Sequence, residues 1–142
     1  MTPVAAVDTS VLVGRADADD RHHDAATAIV DGIDRGRLPT GRVTNYVVLE
    51  MLNWIHGRRR HEAAIALYAS LKASAGFEIH HAPRKDYDRA IDLFETYDGL
   101  AFGDATVVAH LQREGIEHLY SFDDDFDAVA GVTRLATPDD PF

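Results

Sequence analysis

The chain has 142 residues, the size of one ordinary domain, and contains no cysteine, which excludes disulfide staples, thiolate nucleophiles and cysteine-held zinc or iron–sulfur centres. Its 24 acids against 14 bases leave a formal charge of −10, so any nucleic-acid partner meets an overall repulsive field. The acids are mostly Asp and the bases almost all Arg, a balance expected of a protein from a salt-rich cytoplasm; the alternative, a GC-rich genome that disfavours Lys codons, explains the scarce Lys but not the acid excess.

The opening MTPVAAVDTSVLVG has no basic start and Asp8 interrupts its apolar run, so neither a signal peptide nor a membrane-spanning helix is expected. One soluble, cytoplasmic domain spanning residues 1–142 is the expectation. Pro3 to Asp8 reads as a buried strand reaching its carboxyl end, because β-branched residues run into a polar Asp-Thr-Ser triplet. From Asp19 to Arg35, Ala25, Ala28, Ile29 and Ile33 recur at helical spacing, and Gly36 stops the helix. Thr44 is placed to cap a helix whose Val47, Val48, Met51, Leu52 and Ile55 form an apolar stripe ending at Gly57. Another helix is predicted from His61 to Ser74, followed by a strand from Phe77 to His81. Pro83 opens a helix over Asp86 to Tyr97, and a further helix runs from Asp104 to Glu114, closed by Gly115. Ile116 to Phe122 and Val132 to Ala136 read as strands. Strands separated by helices imply a parallel sheet with right-handed crossovers.

Several carboxylates occupy places that carboxylates usually avoid. Asp8 and Asp123 both follow a strand, where open parallel sheets bind ligands, although each alone is explained by helix capping or an Asx-turn. Asp104 precedes Val107, Val108 and Leu111 at i+3, i+4 and i+7, in line with a buried stripe; its plain alternative is again a capping role. Glu50 lies about 60° around its helix from Val47, a rim position open to water on a bland reading. Together the four suggest an all-oxygen site for a divalent cation, Mg²⁺ or Mn²⁺, of the kind that supports phosphodiester hydrolysis.

VDTSVLV at 7–13, TNYVVLEML at 44–52, FGDATVVAHL at 102–111 and SFDDDF at 121–126 resemble, in order and spacing, the PIN domain, in particular toxins of VapC type. The resemblance covers nearly the whole chain. It implies a three-layer α/β/α sandwich around a parallel sheet, a Mg²⁺- or Mn²⁺-dependent endoribonuclease acting on RNA, a cognate antitoxin and a homodimer. It assigns Asp8, Glu50, Asp104 and Asp123 to the four acidic positions, with Asp125 as an additional metal ligand. Ser121 stands where the family commonly has Thr, either orienting a water at the ion or bonding the backbone, and Ser10 shares that ambiguity. Asp124 and Asp127 are expected to serve the surface or local turns.

The eight histidines lack ligand spacing and are expected in structural or surface roles. Arg58, Arg59 and Arg60 suit a helix C-terminus, the alternative being a phosphate-contacting edge for RNA. Two rival functions are weighed. A phosphatase of haloacid-dehalogenase pattern needs an Asp where Ser10 stands, and a non-catalytic PIN-fold binding module does not need all four acids.

Overall fold

The structure, a computed structural model, describes residues 2–142. Five parallel strands form one sheet: β1 (Val4–Val7), β2 (Thr40–Thr44), β3 (Phe77–His80), β4 (His118–Tyr120) and β5 (Thr133–Leu135). The connecting helices are α1 (Thr9–Ala16), α2 (His23–Asp34), α3 (Asn45–Gly57), α4 (His61–Ala73), α5 (Arg84–Thr96) and α6 (Phe102–Glu114). A short 3-10 helix, Asp124–Ala128, joins β4 to β5. The strand order is β3-β2-β1-β4-β5. The chain therefore steps from β1 through β2 to β3, then returns across the sheet to pair β4 with the other side of β1. Right-handed crossovers place α1 to α4 on one face and α5 with α6 on the other, which is the expected three-layer arrangement. Among the described residues, no helix is long and apolar enough to cross a membrane.

The local chemistry explains most boundaries. Thr44 Oγ1 accepts from the Val47 N–H at 3.2 Å, so the cap read from the sequence starts α3. Gly36 and Gly115 adopt positive φ, 76° and 66°, and close α2 and α6. Three elements depart from the sequence reading. Helix α1 goes unread because Val11, Val13 and Gly14 are poor helix formers; burial of Val11 and Leu12 and a close approach to α2 override that preference. A Cβ at Gly14 would come within 3.2 Å of Ala26 Cβ, so the glycine sets how near the two helices lie. Strand β2 goes unread because TGRVT lacks a strand's apolar pattern, yet it is central to the sheet, and at Gly41 a Cβ would stand 3.0 Å from the Phe77 ring. The helix read from Asp19 begins only at His23, because Asp20 Oδ1 takes the His22 N–H at 2.7 Å in a turn.

Helix α6 is apolar on more than one face. Every residue from Ala105 to Leu111 is buried, because the helix packs against the sheet, α5 and α3 together. Its buried His110 faces Asp86 of α5, which is 1% exposed and bonded to Arg113 Nε at 2.6 Å.

Candidate active site

The reversal of strand order between β1 and β4 opens a crevice at their carboxyl ends, the usual ligand position in open α/β sheets. Asp8 follows β1 and its N–H bonds the Tyr120 carbonyl at 3.0 Å, so the first acid is tied directly to β4. Asp8 is the N-cap residue of α1, but it is 5% exposed and its side chain makes no geometric capping bond. Instead Asp8 Oδ2 accepts from Ser10 Oγ and from Ser121 Oγ, both at 2.9 Å. The two hydroxyls in turn accept the N–H groups of Phe122 and Asp123, at 3.1 and 3.0 Å. Each serine thus both orients the Asp8 carboxylate and fixes the backbone after β4. Burial raises the Asp8 pKa, and the hydroxyl bonds oppose the rise.

Asp104 stands in the first turn of α6, where Ala101 is the N-cap and no side chain caps the helix. Its carboxyl is free to face Asp123 and Asp125: one oxygen from each of the three lies within 4.8 Å of the others. Burial, followed by the charges of Asp8 and Asp123, pushes its pKa up to about 8. Asp123 Oδ1 accepts the Asp125 N–H at 2.9 Å, so the turn explanation holds for that oxygen and leaves the second to the crevice. Asp125 is exposed, and the neighbouring Asp123 charge raises its pKa.

Glu50 is open to solvent on α3, yet its carboxylate reaches the start of α6, where a Cβ on Gly103 would collide with it. Burial first and Asp8 second raise its pKa. Gly103 is a position beside the acids that sequence reasoning missed. The signal was available as a glycine beside Asp104 in a helix start, where glycine otherwise costs stability.

All five acids read from the sequence therefore face one crevice, with Asp104, Asp123 and Asp125 as the tight group and Asp8 and Glu50 flanking it. Among the described residues these three are the group of His, Asp or Glu able to converge on one ion. The donor set fits a hard divalent cation. It is all oxygen, its charges repel, and a modest contraction brings the oxygens to the ~2.0–2.6 Å bonds such ions make. Among the described residues no histidine joins that group: His22 stacks on Phe122, next to Asp123, with ring centroids 4.4 Å apart, and His56 meets His61 edge-on. Arg58 lies 4.0 Å over the Trp54 ring, and Arg60 reaches the Ala16 carbonyl at the end of α1.

A parallel sheet with acids gathered at its topological switch point defines an α/β protein with an acid-lined crevice. Residues 5–132 match the PIN domain, and the chain belongs to that family. It is 28% identical over 128 residues to the 23S rRNA-specific endonuclease VapC20 of Mycobacterium tuberculosis, covering 89% of this chain and 94% of that protein. The crystal structure of VapC20, a Sarcin-Ricin loop cleaving toxin, matches with a TM-score of 0.76 at 26% identity over 89% of this chain and 95% of the other. A toxin-antitoxin complex from Klebsiella pneumoniae matches at 0.61 and 20% identity, over 96% of this chain and 98% of that one. VapBC2 from Rickettsia felis, bound to a DNA fragment from its promoter, matches at 0.69 and 14%, over 93% and 97%. These last two share the fold.

Proposed function

We propose that this protein is a Mg²⁺- or Mn²⁺-dependent endoribonuclease and the toxin of a toxin–antitoxin pair, with Asp8, Glu50, Asp104 and Asp123 around the ion or ions and Asp125 assisting. The observation that carries the reading is the convergence of these carboxylates at the β1/β4 crevice of a chain similar over most of its length to VapC20. When bound, a divalent cation supplies charge neutralisation at the scissile phosphate and acidifies a water. Asp104, Asp123 and Asp125 would hold it. Asp8, locked by Ser10 and Ser121, offers its remaining oxygen to the same space, and Glu50 over Gly103 closes the crevice on the α3 side.

RNA binding has to overcome the charge of −10, and a bound cation offsets the acids where the phosphate must enter. The similarity to VapC20 makes a ribosomal RNA stem-loop the first substrate to try. A groove of about 530 Å³ between α1, α2 and α4, lined by Leu12, Ala16, Val30, Leu67, Leu71 and Phe77, is the surface we propose for a cognate antitoxin. Homodimerisation is supported by Tyr87 and Phe94, exposed on α5 and meeting Phe102 edge-on. The test is incubation of purified protein with RNA in Mn²⁺, in Mg²⁺ and in EDTA, beside the same protein carrying Asp8→Asn. Cleavage that needs metal and Asp8 is expected. Cleavage in EDTA, or no cleavage of any RNA with growth unaffected by expression, overturns the reading.

A further inference from the structure

The acids between β4 and β5 sit on a short segment whose two ends are held by one side chain. Arg134, in the middle of β5, donates from Nη1 to the Ser121 carbonyl at 3.2 Å. The same guanidinium grips Asp127 with two parallel bonds, Nε to Oδ1 at 2.9 Å and Nη2 to Oδ2 at 3.0 Å. Ser121 is where β4 ends and Asp127 lies near the end of the 3-10 helix, so the two anchor points bracket Asp123 and Asp125. The Ser121 N–H adds a third tie, to the Leu135 carbonyl at 3.1 Å, and Phe126 is fully buried beneath the segment.

We propose that Arg134 is a positioning residue for the cation site: by bridging Ser121 and Asp127 it holds Asp123 and Asp125 at the spacing a divalent ion requires. The inference rests on the metal-dependent reading above.

An ordinary exposed ion pair contributes little, since both side chains must be immobilised in water. This one differs. The Arg134 side chain is 19% exposed, the contact is a two-bond fork, and a third bond goes to backbone that Asp8 also holds through Ser121. Without the bridge, repulsion among Asp123, Asp124 and Asp125 favours opening of the turn. Lys cannot replace the fork, because a single ammonium cannot reach a carboxylate in two parallel bonds and a carbonyl together.

Electrostatics alone makes the opposite prediction. Arg134 is a positive charge beside an acidic site, so removing it strengthens the long-range attraction of a dication. If Arg134 acts only through charge, Arg134→Gln binds metal more tightly; if it positions the acids, the same variant binds more weakly. The experiment measures the Mn²⁺ dissociation constant of the full chain by titration calorimetry for wild type, Arg134→Gln, Arg134→Lys and Asp127→Ala, after metal-free melting shows each is folded. Weakening by roughly tenfold or more is expected for Arg134→Gln and Asp127→Ala, as for partners that orient metal ligands elsewhere, with Arg134→Lys in between. Mn²⁺ binding equal to or tighter than wild type in a folded Arg134→Gln overturns the inference and leaves the nuclease reading standing. Should Arg134→Gln not fold, Arg134→Lys carries the test, since it keeps the charge and loses only the fork; wild-type affinity there overturns the inference equally, whereas Asp127→Ala also removes a negative charge and weakens binding through charge alone. A wild type that binds no Mn²⁺ removes the metal-dependent reading and this inference with it, and shows that in the first titration.

Discussion

Replacing Asp104 by Asn removes a charge from the crevice while keeping the shape and a hydrogen-bonding amide. In the folded, metal-free protein the Asp104 carboxyl holds its proton until about pH 8, whereas in the unfolded chain it releases it near the ordinary value of 3.8. Between those values the folded state binds the extra proton, so wild-type stability falls as pH rises from about 4 and levels off above about 8. Each pH unit of that window is worth about 1.4 kcal/mol, a ceiling of about 6 kcal/mol, which solvent screening at the half-open crevice brings down to roughly 2–3. The amide of the variant does not titrate in this range. Asp104→Asn is therefore expected to match wild type near pH 4 and to exceed it progressively up to pH 8, where the gap in melting temperature reaches roughly 6–12 °C for a chain of this size. Metal closes the gap near pH 8 and reverses the order at lower pH, where the gap is smaller. Mn²⁺ at a hundred times its dissociation constant stabilises wild type by about 2.7 kcal/mol and the variant far less, while RNA cleavage by the variant is abolished. The assay is a set of metal-free and Mn²⁺-loaded melting curves from pH 4 to 9, with cleavage measured alongside. Melting curves that stay parallel across pH, or a variant less stable than wild type at pH 8, refute the account of a charge repelled by its neighbours; a variant that still cuts RNA removes Asp104 from the site.

Gly103→Ala is expected to fold with a melting temperature within a few degrees of wild type, since the helix start gains from Ala what the displaced Glu50 carboxylate loses, yet to cut RNA at least several-fold more slowly; unchanged cleavage means that Glu50 is not needed where it lies. Arg113→Met leaves the Asp86 carboxylate, 1% exposed, without its partner, and should cost about 3–5 kcal/mol by chemical denaturation; a loss below 1 kcal/mol means that His110 or water takes over the pairing. Raising KCl from about 0.1 to about 2 M shortens the Debye length from about 10 Å to below 3 Å and should raise the melting temperature, because the 24 acids repel one another; a flat or falling midpoint removes the salt-adapted reading.

The sequence is most informative where the cost of a residue is local. Thr44 and Gly115 act through their own backbone, so their roles can be read from their neighbours in the chain. The acids are visible for a similar reason, because a carboxylate after a strand or in line with Val107 and Leu111 is costly in almost any fold. What stays hidden depends on distant partners. Nothing local marks TGRVT as a central strand until Val4 to Ala6 and Phe77 to His80 stand on either side of it. Arg134 looks like any strand arginine until β5 pairs with β4 and brings Ser121 and Asp127 within its reach. The serines carry an intermediate signal: their hydroxyls beside acids suggest a polar site, but only the β1–β4 pairing shows that both bond the same oxygen of Asp8.

The bond from Ser121 to Asp8 spans 113 positions of the chain, and that from Phe122 to Ser10 spans 112. During synthesis the N-terminal strand leaves the ribosome early, yet its partner β4 follows only after most of the protein has been made. Until then Asp8 has no β4 beside it, Asp104 has not met Asp123, and the crevice does not exist. Whatever chemistry the carboxylates support is therefore withheld from the nascent chain while it is still held against ribosomal RNA. It begins only when the segment from His118 to Asp125 has emerged and docked beside β1.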